Sequence, residues 1–300
     1  MVQQQDTSEL KTIIDFMRWG ASRFVEAKLS FSHGMSSPLD ESVYLVLRTL
    51  HLPVDTPDIY WRSTLTSSEV DALKAVINRR INEKIPAAYI TQEGWFAGLQ
   101  FYVDERVLVP RSPIAELVEN QFAPWVDPDG VEDILDLCTG SGCIGIACAY
   151  AFPGAQVDLS DISEEALEVA NINIEGHDTA RRVTAIQSNL FDNLGGKVYD
   201  IIVSNPPYVD EEDMAALSKE FHHEPELGLS SGTQGLDLTT TILKQVGKHL
   251  SDMGILVLEV GNSQYALAEA YPDVPFHWIE FERGGDGVFM LTKQQLEMYF

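Results

Sequence analysis

The sequence predicts an α/β chain: a mostly parallel sheet with helices on both faces, preceded by a small helical domain. Three observations predict it. From Asp133 onward, short apolar runs of strand length alternate with longer stretches of helical periodicity, and alternation of that kind builds a parallel sheet. The first of those runs ends in a glycine-rich turn that leads into a helix. The residues before Trp95 carry helical periodicity and no strand-like run.

In the first part, Asp6 and Glu9 have capping-box spacing. Leu10, Ile13, Ile14, Met17, Ala21, Phe24, Val25 and Leu29 follow as an apolar stripe. A second helix is expected from Leu39 to Leu50, before Pro53 and Pro57 break the chain. Thr66 and Glu69 repeat the capping spacing ahead of Val70, Leu73, Ile77 and Ile81. His33 and His51 stand alone and read as surface or capping residues. Residues 95–110 are β-rich, with turn signals at Gly98 and Asp104–Glu105, and predict a hairpin joining two domains, 1–94 and 111–300.

In the second part strands are expected at Asp133–Leu137, Gln156–Asp161, Val183–Gln187, Asp200–Asn205, Gly254–Gly261, Phe276–Phe281 and Gly287–Leu291. Helices are expected at Ile144–Phe152, Glu164–Ile174, Leu238–Leu250 and Ser263–Tyr271. On such sheets ligands gather at the carboxyl ends of the strands.

Charge narrows the function classes. Residues 1–95 carry 10 basic and 12 acidic side chains, and residues 96–300 carry 10 and 34. Nearly all of the net charge of −26 therefore sits in the second part, which opposes tight binding to naked nucleic acid and favours a basic partner or a neutral small molecule. No apolar run approaches the ~20 residues that span a bilayer, so no membrane contact is expected. The start, MVQQQDTSELK, lacks the basic and apolar regions of a signal peptide. Cys138, Cys143 and Cys148 lie in one short stretch, a poor disulfide framework at a spacing no zinc site uses. Together these predict a cytoplasmic protein without a metal.

The first strand stops in Asp136-Leu-Cys-Thr139-Gly140-Ser141-Gly142-Cys143-Ile-Gly145. Glycines there let the backbone turn sharply and approach a ligand, and the helix that follows offers free N–H groups. The second strand ends at Asp161, whose carboxylate suits the two hydroxyls of a ribose. Both features fit a dinucleotide or S-adenosylmethionine. Asp136 favours the latter, holding the amino group of a methionine moiety or ordering the loop. The stronger signal is Ser204-Asn205-Pro206-Pro207-Tyr208. Two prolines fix a turn and remove two N–H donors, so its carbonyls and the Asn205 amide remain as acceptors beside an aromatic wall. Acceptors clustered against a flat face suit a planar NH₂ group, in a carboxamide or a base.

These residues resemble the class I S-adenosylmethionine-dependent methyltransferases that modify planar amino nitrogens. The wider pattern is similar to the protein N5-glutamine methyltransferases of the HemK/PrmB type. It includes Ala87-Ala-Tyr-Ile, Phe96-Ala-Gly-Leu-Gln-Phe, Val107-Leu-Val-Pro110-Arg111, Glu224-Pro-Glu-Leu227 and Gly235-Leu-Asp237. The resemblance covers roughly residues 85–292 and implies a Rossmann-like seven-stranded catalytic domain. The form Pro110-Arg111-Ser112-Pro113 looks like the branch acting on ribosomal protein uL3, free or in an assembling large subunit, where the release-factor branch has an acidic Thr-Glu pair.

The resemblance assigns the cofactor to Asp136, Thr139, Gly140, Ser141, Gly142, Cys143, Asp161, Asn189, Leu190 and Asn205, and leaves S-adenosylhomocysteine as its product. Asn189 stands where the family has an aspartate toward the adenine amine; it still accepts through its carbonyl, without a charge. Asn205, Pro206 and Tyr208 are the expected catalytic group, with Pro207 and Arg111 also toward the substrate. Arg111 meets the cofactor carboxylate or a substrate carbonyl, or pairs with a carboxylate of the chain. His222 and His223 fall in an expected loop, as a lid or as ordinary surface. Within the family a release-factor glutamine methyltransferase is the alternative, and outside it three rivals remain. They are a nucleic-acid amino methyltransferase, a nicotinamide-dependent dehydrogenase, which leaves Asn205–Tyr208 unused, and a non-catalytic ribosome-assembly factor.

Overall fold

Thr12 opens the first helix, α1 (Ile13–Glu26), with a reciprocal cap: its hydroxyl accepts from the Asp15 N–H while the Asp15 carboxylate accepts from the Thr12 N–H at 2.9 Å. The computed structural model describes residues 9–300 other than 32, 36, 233 and 234 and the side chains at 212 and 215. The box expected at Asp6 and Glu9 therefore lies partly outside the described residues. Helix α2 (Pro38–Thr49) starts on Ser37 with proline at its first position, and α3 (Ser67–Glu83) starts on the expected Thr66–Glu69 box. A short α4 spans Ala87–Thr91.

The buried face of α1 is narrower than its sequence stripe. Phe16, Met17, Gly20 and Phe24 are buried, whereas Ile14 and Val25 face solvent. Gly20 explains the close approach of α2, because a Cβ there would lie 2.3 Å from the Ser42 hydroxyl. Leu45, Leu47, Leu73 and Ile77 complete this core. By contacts the helical unit runs to Gln92 and also takes in Ser218–His223. Arg80 is fully buried here, donating to Glu41 at 2.7 Å, to Glu220 at 3.4 Å and to the Ser30 carbonyl at 2.9 Å.

The other unit comprises Glu93–Leu217 and Glu224–Phe300. It opens with the hairpin β1 (Glu93–Phe96) and β2 (Leu99–Tyr102), turned at Ala97 and Gly98, both with positive φ. The hairpin starts earlier and ends sooner than residues 95–110. After α5 (Ile114–Glu119), the chain alternates through β3 (Asp133–Leu137), α6 (Cys143–Ala151), β4 (Gln156–Asp161), α7 (Glu164–Gly176), β5 (Val183–Gln187) and β6 (Tyr199–Ser204). It continues through α8 (Glu211–Ala216), α9 (Asp237–Val246), β7 (Leu250–Glu259), α10 (Gln264–Ala270), β8 (His277–Trp278), β9 (Val288–Thr292) and α11 (Lys293–Tyr299).

Seven strands form one sheet in the order β5-β4-β3-β6-β7-β9-β8. β3 to β7 run parallel, and β9 is antiparallel to both of its neighbours. The central strands are mostly apolar because both faces are covered, with polar residues such as Asp136 and Ser204 near their carboxyl ends. Order reverses between β3 and β6, so the carboxyl ends of β3, β4, β6 and β7 meet on one edge at a topological switch point. The chemistry-bearing turns fall on that edge.

Candidate active site

The turn after β3 is built around Asp136. Its Oδ2 accepts from the Thr139 hydroxyl at 2.5 Å and from the Gly145 N–H at 2.8 Å, tying the strand to the first turn of α6. Asp136 is fully buried, and its Oδ1 has no hydrogen-bond partner. Burial pushes its carboxyl up to about 7. Gly145 lets α6 lie against the sheet, since a Cβ there would come within 2.1 Å of the Leu159 side chain. Gly140, at φ +56°, does the opposite: nothing lies within 4 Å of the place its Cβ would occupy. The backbone at Gly140 thus borders open space, as a turn that cradles a ligand must.

Asp161, at the end of β4, accepts from the Gly140 N–H at 2.9 Å through Oδ2 and from the Ser163 N–H at 2.9 Å through Oδ1. Burial raises its pKa. A carboxylate has about four acceptor positions, so these N–H groups leave room for a ligand hydroxyl. The Asp161 carbonyl accepts from the Ser188 N–H at 2.9 Å, which brings the turn Ser188–Phe191 to the same edge. Asn189 is exposed there, with its amide donating to Asp192 at 3.3 Å, while Leu190 is buried at positive φ. Asn173 of α7 donates to the Ser141 carbonyl at 2.8 Å and exchanges two bonds with the Tyr102 backbone, clamping the glycine turn to the hairpin. Its midhelix position carried no sequence signal beyond a buried polar side chain. Cys143 is buried, its thiol pushed up to about 12 by burial, and Cys138 and Cys148 are raised likewise.

β6 ends at Ser204, one residue earlier than expected, and the Ser204 hydroxyl donates to the Leu137 carbonyl at 2.5 Å. The ends of β3 and β6 are thereby joined, and Asn205 stands in the turn beside them. Among the described residues the half-buried Asn205 side chain makes no hydrogen bond, so its carbonyl is available. Pro206 is buried behind it. Tyr208 is fixed at both ends: its hydroxyl donates to Glu259 at 3.0 Å and its carbonyl accepts from the Ser263 hydroxyl at 2.9 Å.

The structure places Arg111 on Glu224. Nη1 and Nη2 donate to the two carboxylate oxygens at 2.5 and 2.8 Å, and the Glu224 side chain is wholly buried. Of the alternatives open for Arg111, pairing with a carboxylate of the chain is the one the geometry displays. His222 and His223 are not a loose loop: they belong to a short 3₁₀ turn, and His223 pairs with the Glu83 carbonyl at 2.8 Å in the helical unit. Among the described residues no group of three or more His, Cys, Asp or Glu is arranged to hold a metal.

A seven-stranded sheet of this order, with a glycine turn after its central strand, an acid after the next and an acceptor turn across the switch point, defines a class I methyltransferase. Residues 122–235 match the methyltransferase small domain family. The catalytic domain of hMettl16 in complex with an RNA hairpin shares the fold, at a TM-score of 0.50 and 17% identity over 76% of this chain and 81% of that one. Much nearer are two proteins named ribosomal protein uL3 glutamine methyltransferase. The one from Francisella tularensis is 47% identical over 99% of this chain and 95% of its own length. The one from Neisseria gonorrhoeae is 50% identical over 97% and 98%. The chain belongs to their family, the protein glutamine methyltransferases.

Proposed function

We propose that this enzyme transfers a methyl group from S-adenosylmethionine to the side-chain amide nitrogen of a glutamine in ribosomal protein uL3. The observation that carries the reading is the unpartnered Asn205 carbonyl, set by Ser204 and Leu137 at the switch point beside the open turn at Gly140. Thr139–Cys143 would receive the methionine part of the cofactor, with its ammonium toward the orphaned Oδ1 of Asp136. Asp161 would accept the ribose hydroxyls, and Asn189 and Leu190 would border the adenine. When bound, the cofactor supplies an electrophilic methyl on a sulfonium.

An amide nitrogen shares its lone pair with its carbonyl and is a poor nucleophile. The Asn205 side-chain carbonyl and the Pro206 carbonyl each accept from one N–H of the glutamine. Both bonds strengthen as positive charge builds on nitrogen, which favours the transition state over the ground state, and one N–H proton leaves after transfer, when the nitrogen is acidic. They also aim the nitrogen, and Tyr208 walls the amide plane. Arg111 acts on the substrate only indirectly, by holding Glu224. The acidic catalytic unit attracts a basic ribosomal protein, in the cytoplasm where ribosomes assemble. Within the described residues, no helix is long and apolar enough to cross a membrane.

The test is mass spectrometry of purified uL3, a release factor and ribosomal RNA incubated with enzyme and S-adenosylmethionine. A gain of one methyl on a uL3 glutamine supports the reading. Methyl gained only on the release factor or the RNA overturns it.

A further inference from the structure

We propose that Glu259, at the end of β7, is a positioning residue for methyl transfer: it fixes the Tyr208 ring and the segment carrying Ser112 in one arrangement at the acceptor site. The inference rests on the proposed reading of Asn205–Tyr208 as the acceptor turn.

The geometry is specific. Glu259 is buried, and its two oxygens receive different hydroxyls, Oε1 that of Tyr208 at 3.0 Å and Oε2 that of Ser112 at 2.5 Å. Neither hydrogen-bond partner is a cation, and the Arg111 guanidinium favours the charge only through space. A buried carboxylate hydrogen-bonded only to neutral hydroxyls is costly, and a leucine in the end of a buried strand would pack without that cost. What the carboxylate adds is direction. A phenylalanine at 208 would be free to tilt, whereas the tyrosine is pinned at its tip.

Gly261 closes on the same end of the ring. A Cβ there would lie 2.5 Å from Cε2 and 2.8 Å from Cζ of Tyr208. At the other end, Gly235 comes so close that a Cβ would meet the Tyr208 carbonyl at 2.1 Å. Pairing of Ser204 with Leu258 sets Glu259 beside Asn205 in register, one residue beyond. The Tyr208 ring therefore has one orientation, while Asn205 next to it is free to meet a ligand. Ser112 explains why the Pro110-Arg111-Ser112 segment matters to a turn almost a hundred residues away: Glu259 is the link between them.

The experiment first establishes methylation of uL3 by the parent enzyme; failure at that stage counts against the function, not against Glu259. Kinetics on uL3 then compare Glu259→Ala, Glu259→Gln, Tyr208→Phe and the double variant Glu259→Ala/Tyr208→Phe, with cofactor affinity by calorimetry and melting temperature for each. Glu259→Ala lowers kcat about 100-fold and Tyr208→Phe about 10-fold, with KM and cofactor affinity within about threefold of the parent. Glu259→Gln, which keeps an acceptor for the phenol, recovers to within about 10-fold of the parent. The double variant is no worse than Glu259→Ala, because both changes remove the same bond. Should Glu259→Ala not fold, Tyr208→Phe and Glu259→Gln decide. Tyr208→Phe within twofold of the parent, losses that multiply in the double variant, or a loss confined to KM overturns the proposal.

Discussion

The guanidinium of Arg111 and the carboxylate of Glu224 meet as a two-pronged pair, 113 residues apart in sequence. Glu224 also accepts from the Val109 N–H at 3.0 Å, so one buried carboxylate ties the approach to the catalytic unit to the segment after Ser218–His223. Arg111 retains 27% side-chain exposure and Glu224 none. Removing the arginine strands a buried charge; removing the glutamate leaves a cation that reaches water. Arg111→Ala is therefore expected to lower unfolding free energy by about 3 kcal/mol, and Glu224→Ala by about half as much. Urea denaturation of the two variants checks the order, and equal losses would contradict it.

Asp161 serves two masters, the Gly140 and Ser163 N–H groups and the proposed ribose. Asp161→Ala is expected to weaken S-adenosylmethionine binding by about 1.5–3 kcal/mol, the worth of a bond to a charged acceptor. Burial raises its carboxyl, so protonation begins at higher pH than for an ordinary aspartate. Affinity for the cofactor should accordingly decline as pH falls through that raised value, and Asp161→Asn should flatten the decline. Calorimetry across pH, showing unchanged affinity for Asp161→Ala, would remove ribose binding from this residue.

Asp136 makes a prediction of the opposite sign for stability. Its carboxyl sits at about 7 in the folded chain, against an ordinary value of 3.8. Below the ordinary value it is protonated in both states and contributes nothing. As pH rises from there toward 7, the unfolded chain ionises while the folded chain still holds the proton, so folding is progressively disfavoured. Above about 7 the penalty is constant. The difference in unfolding free energy between Asp136→Asn and the parent should therefore grow in favour of the variant across that window. A flat difference curve would show that Asp136 ionises normally in the fold.

The strands around this site were legible because each is a short apolar run stopped by a turn. β3, β4 and β5 fall on the residues their patterns predict. β7 starts four residues early, and α5, α8 and α11 were missed; these helices have six or seven residues, too few for periodicity to show. The Asn205–Tyr208 turn was legible because proline restricts its own backbone. The groups that brace the site were not. Glu259, Asn173 and Glu224 act through partners 51, 71 and 113 residues away, and no local pattern encodes such pairs. The placement of Ser218–His223 with the helical unit is of the same kind, since Arg80 and Glu220 are 140 residues apart.

That cluster sharpens what loss of the first 85 residues would do. Deletion removes Arg80, Ser30 and Glu83, and with them the partners of Glu220 and His223. Among the described residues, the hydrogen bonds of the turns at Gly140 and Asp161 run to groups of the catalytic unit itself. Cofactor binding should therefore persist while methylation of uL3 falls sharply. Within the intact chain, Arg80→Ala should destabilise by about 3–5 kcal/mol, because two buried carboxylates lose their counter-charge. A truncated enzyme that methylates uL3 at the parent rate would deny the helical unit any part in the reaction.

Asn205 carries the last prediction. The prolines after it hold the turn, Ser204 anchors it to β3, and its own amide makes no hydrogen bond among the described residues. Asn205→Ala removes one acceptor whose bond strengthens as the amide nitrogen becomes positive, and nothing in the described core depends on that side chain. By the worth of one preorganised partner in an oxyanion hole, the rate should fall roughly 10²–10³-fold with the melting temperature little changed. Asn205→Asp separates charge from geometry. It keeps an acceptor and favours a cationic nitrogen, yet it loses the amide's donor and so disturbs the pose of the neutral amide; it should retain turnover better than it retains binding of uL3. Single-turnover methylation of uL3 by the purified variants measures both. If Asn205→Ala methylates within about threefold of the parent, a margin of only ~0.7 kcal/mol, the acceptor mechanism is wrong and positioning by the turn's backbone alone must account for the chemistry.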